Sequence, residues 1–170
     1  TICRTIAASS STTISWRPSL RKVPHGTGAG VAPRRVFVDS GAWIALLRAR
    51  DRHHAEADRM FAVAVSRQIP LLTTNLIVAE VHRFLLFHVG IRAAAHMIDR
   101  IDASPLVTVE FAGRAHHQAA RAWLARLPDQ RVSYTDAVSF AVMEAARCTT
   151  ALSFDQDFTL AGLRLWQHGE

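Results

Sequence analysis

The sequence predicts one α/β domain built on a mostly parallel central sheet flanked by helices. From residue 35 onward, short apolar runs alternate with longer segments of helical periodicity, as in strand–helix–strand units whose parallel strands need crossover helices. At 170 residues and 18.8 kDa the chain has material for one core and a tail, and too little for two full domains. Hydrophobic residues make up 49% and charged residues 20%, the balance of a globular chain. No stretch reaches the roughly 18 uninterrupted apolar residues of a spanning helix, so no membrane association is expected.

Residues 1–34 form a Ser/Thr/Gly/Pro/Arg mixture with no sustained period and are expected to be a disordered basic leader. The leader is Arg-rich, Ser-rich and free of acids, which gives it the composition of a transit peptide. It lacks an amphipathic stripe, and the plainer reading is an extension outside the fold. The domain is expected over 35–170. VFV at 36–38 reads as a buried strand ending on Asp39 and Ser40, and GAWIALLRAR then carries apolar residues at helical spacing. A second helix is expected over 52–67 and a strand over 69–74. Thr and Asn follow that strand as capping residues for a long apolar helix that ends at Gly90. Residues 91–102 continue as helix, 105–111 form a third strand, and 112–127 a helix that stops before Pro128. The segment from Ser133 opens another helix, TTALSF at 149–154 is a fourth strand, and LRLW at 163–166 a short last one.

The formal charge of +6 comes entirely from the leader, which with Arg35 holds Arg4, Arg17, Arg21, Lys22, Arg34 and no acid. Residues 39–170 carry 14 Arg against 14 Asp plus Glu, so basicity alone says nothing about nucleic acid. Two cysteines, Cys3 and Cys148, offer neither a disulfide framework nor a thiolate metal site, and they point to a reducing, cytoplasmic setting.

Four acids occupy positions where chemistry would need them. Asp39 lies at the carboxyl end of the first strand, where ligands bind in parallel α/β sheets, although it could equally cap the next helix. Glu80 stands alone among aliphatic neighbours in LIVAEV, with an ordinary ion pair to Arg83 as the plainer alternative. Asp136 opens an apolar helix three residues after Ser133, which also makes a capping box. Asp155 and Asp157 follow the fourth strand, where an Asp turn would account for them. If gathered on one edge, such carboxylates would repel unless a cation neutralised them. Oxygen ligands without Cys or His suit Mg2+ or Mn2+ better than zinc.

The four motifs VFVDSGAW, NLIVAEV, SYTDAVSFAVMEA and ALSFDQDFTLAGL, in this order, resemble those of PIN-domain proteins, and especially VapC-type toxins of toxin–antitoxin pairs. The resemblance covers about residues 35–170. It implies a PIN-like three-layer sandwich and a Mg2+- or Mn2+-dependent endoribonuclease that hydrolyses RNA phosphodiesters. Partners implied are RNA, a cognate antitoxin protein and a second copy of the chain in a homodimer. Carried over by position, Asp39, Glu80 and Asp136 match the three principal acids and Asp155 the fourth, as catalytic groups and metal ligands. Asp157, Ser40 and Thr135 would support them, the last two equally as helix caps. Trp43, Phe61, Phe84, Phe87 and Trp123 are candidates for a dimer face or, in the ordinary use of such residues, for the core. A housekeeping RNA-processing nuclease or a non-catalytic metal-binding scaffold are the alternatives.

Other readings fail on particular residues. A phospho-receiver or aspartyl-phosphate enzyme needs a basic group near the phosphoryl, yet Lys22 is the sole lysine, and Gly41 stands where a phosphatase would have its second Asp. Gly26, Gly28 and Gly30 precede the first strand, whereas a phosphate-binding loop follows it. The nine histidines, His53–His54 and His116–His117 among them, show no zinc spacing.

Overall fold

In the computed structural model, which describes residues 35–166, five strands form one sheet. They are β1 (Val36–Val38), β2 (Leu71–Thr74), β3 (Val107–Glu110), β4 (Thr150–Leu152) and β5 (Arg164–Leu165), in the order β3-β2-β1-β4-β5. Every pairing among them is parallel, so the expected mostly parallel sheet is wholly so. The expected leader at 1–34 lies outside the described residues.

Parallel strands require crossovers, and the helices supply them. Helices α1 (Ser40–Leu47) and α2 (His54–Ser66) join β1 to β2; α3 (Asn75–His88) and α4 (Ile91–Asp102) join β2 to β3. Both connections step the same way across the sheet, and right-handed crossovers therefore put α1–α4 on one face. The chain then returns over the sheet through α5 (Arg114–Arg126) and α6 (Tyr134–Ala145) to β4, and through the short α7 (Asp157–Leu160) to β5. This reversed step places α5–α7 on the opposite face. The three-layer expectation holds.

The strands are short; β1, β2 and β4 are buried, while β3 and β5 at the sheet edges are partly exposed. Val36, Phe37, Val38, Ala151 and Leu152 are fully buried, and Phe37 meets Phe158 of α7 while Phe158 meets Phe140 of α6 edge-on. Several boundaries differ from the sequence reading. Helix α1 stops at Leu47, before the polar RARD stretch, because residues 48–53 turn back on themselves. The 69–74 strand begins only at Leu71 and the 149–154 strand ends at Leu152. Helix α7 was not expected; at four residues it is too short to show a period. Thr74 does cap α3, accepting from Ile77 N at 3.1 Å, and Asn75 Oδ1 accepts from Ala112 N at 2.8 Å to tie the helix start to the end of β3. At Gly90, φ of 133° reverses the chain between α3 and α4, a conformation closed to most residues with a Cβ.

Candidate active site

The strand order fixes where a ligand can enter. From β1 the chain runs outward through β2 and β3, then crosses back to β4 on β1's other side. The carboxyl ends of β1 and β4 therefore diverge into the crevice where open α/β sheets bind ligands. Asp39 leaves β1 there and Ser153–Asp155 leave β4. The register Val38↔Leu152 brings the two exits level, and Asp39 N donates to Leu152 O at 3.1 Å.

Asp39 is buried, with 6% of its surface exposed, and Ser153 Oγ donates to its Oδ2 at 2.9 Å. Burial raises its pKa to about 6 from 3.8, with a smaller upward push from the Asp136 charge. The Ser153 hydrogen bond opposes the rise, as do, more weakly, the nearby amides of Ser40 and Gly41. Those amides do not form a geometric cap: Asp39 stands at the N-cap of α1 without a side-chain cap hydrogen bond. The helix-capping alternative is thus not the use the fold makes of this carboxylate.

Asp136 realises its capping alternative without spending both oxygens on it. Its Oδ2 accepts from Ser133 Oγ at 2.6 Å and Ser133 N at 3.0 Å, while its own amide donates to Ser133 Oγ at 3.2 Å. Its Oδ1 takes no hydrogen bond among the described residues. The serine pins the carboxylate in one rotamer and leaves one oxygen available.

Past β4, Ser153 Oγ also accepts from Asp155 N at 3.0 Å, and Asp155 Oδ1 accepts from Asp157 N at 2.9 Å. This is the expected Asp turn, and Asp155 borders the crevice. Burial, Asp155 and Asp136 together push the Asp157 pKa upward. Asp39, Asp136, Asp155 and Asp157 therefore share one electrostatic neighbourhood, linked through Asp136 and through Asp155.

Glu80 is exposed on α3. Its aliphatic neighbours do not bury it: Ile77 and Val81 are fully buried in the core, while Glu80 is exposed. It makes no ion pair with Arg83 either, whose guanidinium lies over Phe87 instead, 5.7 Å from the ring centroid. Ser40 borders the crevice, and Thr135 sits in the first turn of α6, where its carbonyl accepts from Ser139 Oγ at 2.8 Å. Of the aromatic residues considered for a dimer face, Trp43 and Phe61 belong to the core, where their rings pack 4.9 Å apart. Phe87 is 72% exposed.

An open groove of about 580 Å³ runs over the β1 exit, bordered by Asp39, Ser40, Asp51, His53, Phe154 and Asp155. Sequence reading missed three of these, Asp51, His53 and Phe154. For Asp51 and His53 the available signal was the run RARDRHH at 48–54, which breaks two helical periods; for Phe154 there was none.

A divalent cation fits the donor set. The β1 and β4 exits bring carboxylates together, the Asp136 charge helps to push the Asp39 pKa up, Asp155 and Asp136 help to push that of Asp157 up, and Asp39 and Asp136 each keep an oxygen without a side-chain partner. Among the described residues no three carboxylate, imidazole or thiolate groups already converge on one point. A small hard cation that retains part of its water shell needs only one or two of them in direct contact.

These features, acids on the carboxyl edge of a parallel sheet at its switch point, are those of an α/β domain with an acidic ligand site outside its strand ends. The PIN domain family profile matches residues 36–162, and the chain belongs to that family. Its likeness within the family is to the VapC type. It is 35% identical over 127 residues to the 23S rRNA-specific endonuclease VapC20 of Mycobacterium tuberculosis, in strains H37Rv and CDC 1551, covering 75% of this chain and 94% of that protein. The crystal structure of the same species' VapC20, described as a Sarcin-Ricin loop cleaving toxin, superposes with a TM-score of 0.68 at 34% identity, over 75% of this chain and 95% of that one. FitAcB from Neisseria gonorrhoeae shares the fold, with a TM-score of 0.54 at 13% identity, over 78% of this chain and 96% of that chain.

Proposed function

We propose that this chain is the toxin of a toxin–antitoxin pair, a Mg2+- or Mn2+-dependent endoribonuclease that hydrolyses ribosomal RNA in the crevice at the β1 and β4 exits. The observation that carries the reading is the buried Asp39, held by Ser153 at the switch point within the field of Asp136. A buried carboxylate beside a like charge is costly, and a bound cation removes that cost. The substrate class is supported by the likeness to VapC20 over nearly all of the described chain.

In this reading Asp39, Asp136 and Asp155 would hold the cation, and Glu80, exposed on α3, would supply the fourth carboxylate. Asp157 supports them from the turn it forms with Asp155, as do Ser40 and Thr135 from beside two of the acids. A divalent cation there lowers the pKa of water for in-line attack and offsets the charge that builds on the phosphate. Ser153 holds Asp39 and the Asp155 amide in place, and Ser133 does the same for Asp136. Arg52, which borders the groove, meets the RNA phosphates. A second copy of the chain covers the apolar surface around Phe87 and Ile91, which are 72% and 74% exposed, and an antitoxin protein silences the crevice. Among the described residues no helix is long and apolar enough to cross a membrane.

The test is cleavage of purified ribosomal RNA by the full chain with Mg2+, Mn2+ or EDTA, beside Asp136→Asn. Discrete products that need both metal and Asp136 support the proposal. A folded chain that takes up Mg2+ and cuts no RNA would replace it with the non-catalytic scaffold.

A further inference from the structure

The wall of the groove beside Asp39 and Asp155 is an aromatic stack. The His53 and Phe154 rings lie 4.1 Å apart at 10°, nearly parallel, although one comes from the start of α2 and the other from the exit of β4. Neither ring is fully buried, and the His53 side chain is 32% exposed. Phe154 lies between Ser153, which holds Asp39, and Asp155, so the backbone that places the acids also places this ring.

His53 is held as firmly. Asp51 Oδ1 accepts from His53 N at 2.9 Å, Asp51 N donates to Arg48 O at 2.8 Å, and His54 N donates to Asp51 O at 3.1 Å. His54 Nδ1 donates to Ala45 O at 2.8 Å and ties the turn to the end of α1. On the groove side, Arg52 Nε donates to His53 Nε2 at 3.0 Å, which keeps a guanidinium beside the edge of the stack. Core packing would bury the faces of such rings. Here a π surface and a cation that is always charged border one polar groove, the two chemistries that a nucleotide presents as base and phosphate.

We propose that the His53–Phe154 stack is a platform for a nucleobase next to the scissile phosphodiester, with Arg52 contacting a phosphate of the same strand. The proposal rests on reading the crevice as a ribonuclease site and names the form of RNA that enters it. A base continues the stack only if it has left its own helix, so the substrate presents an unstacked base in a loop or bulge, and continuous duplex is refused. Every base has a π face, so the platform positions the strand and leaves the choice of sequence to other contacts.

The experiment uses the full chain and a short RNA stem–loop carrying 2-aminopurine at each loop position in turn. Binding to a non-cleaving Asp39→Asn background should quench the fluorophore at one position. Adding Phe154→Leu, which keeps apolar volume against the core but removes the aromatic face, should abolish that quenching. In the active chain, Phe154→Leu and His53→Ala should each lower kcat/KM about tenfold or more, while Phe154→Tyr stays near the unsubstituted chain and His53→Phe, which keeps the aromatic face but loses the acceptor for Arg52, falls less than His53→Ala. Arg52→Gln should lower the dependence of binding on salt by about one phosphate contact. Melting temperature and its rise with Mg2+ serve as controls for the fold and the acids. Unchanged kcat/KM in Phe154→Leu and His53→Ala, or quenching that survives Phe154→Leu, overturns the platform while leaving the ribonuclease reading intact. No cleavage by the unsubstituted chain defeats the ribonuclease reading instead, and absence of quenching at every loop position then defeats the platform as well.

Discussion

Ser153 Oγ donates to Asp39 Oδ2 at 2.9 Å and at the same time accepts from Asp155 N at 3.0 Å, so one buried hydroxyl joins the exits of β1 and β4. Ser153 and Asp39 are 114 residues apart in the chain. The register of two parallel strands makes them neighbours.

Ser153→Ala should therefore act on both exits. Asp39 loses the hydrogen bond that opposes its raised pKa, and the Asp155 amide loses its acceptor. Loss of a group that orients metal ligands typically costs about 10–100-fold in metal affinity or activity. We expect cleavage reduced by that order, with partial rescue at higher Mg2+, and about 1–3 kcal/mol lost in a urea melt. Wild-type activity at low Mg2+ would rule the role out.

The Asp39 pKa of about 6, against 3.8 unfolded, gives metal-free stability a definite slope. Between those values the folded chain holds more protons than the unfolded one, so the contribution is fully present below about pH 4 and lost as pH rises through 6. Its size is about 3 kcal/mol. The stability difference between the unsubstituted chain and Asp39→Asn, followed by denaturant melts in EDTA, should shift over that window in favour of the variant. A difference independent of pH from 4 to 7 would show that Asp39 is not desolvated in this way.

Mg2+ at millimolar concentration should raise the melting temperature at pH 8, where the carboxylates are ionised, and raise it little in Asp39→Asn or Asp136→Asn. A ligand that binds only the folded state stabilises it by mass action. Equal shifts in all three proteins would place the ion elsewhere.

Ser133→Ala removes one side of the capping box of α6 and should cost about 1 kcal/mol. It also frees Asp136 to rotate, so activity should fall further than stability explains. Ser133→Thr, which keeps the hydroxyl, should restore both. A loss of stability with full activity would mean that Asp136 serves only as a cap.

Arg147 ends α6 with φ of 51°, a left-handed conformation that costs a residue with a Cβ roughly 1 kcal/mol. Arg147→Gly, on the exposed end of the helix, should stabilise the chain by about 0.5–1 kcal/mol and leave cleavage unchanged. Thermal denaturation would reveal it directly, and a destabilised variant would contradict the prediction.

What the sequence determined by itself was local. Short runs rich in apolar residues between helical periods marked the strands, and in the buried β1, β2 and β4 burial on both faces of a parallel sheet leaves no room for alternation. Ser133 three residues before Asp136, Thr74 ahead of α3 and Gly90 after it declared their turns, because caps depend on neighbours in the chain. Asp39 and Asp155 were legible as acids at strand ends. The tertiary structure decided what depends on register and on helix rotation. It placed Ser153 on Asp39, set Asp157 within the field of Asp155 and Asp136, and laid His53 on Phe154 across about 100 residues of chain. It also turned Glu80 outward, since a run of aliphatics shows how apolar a helix is but not which side of it meets the core.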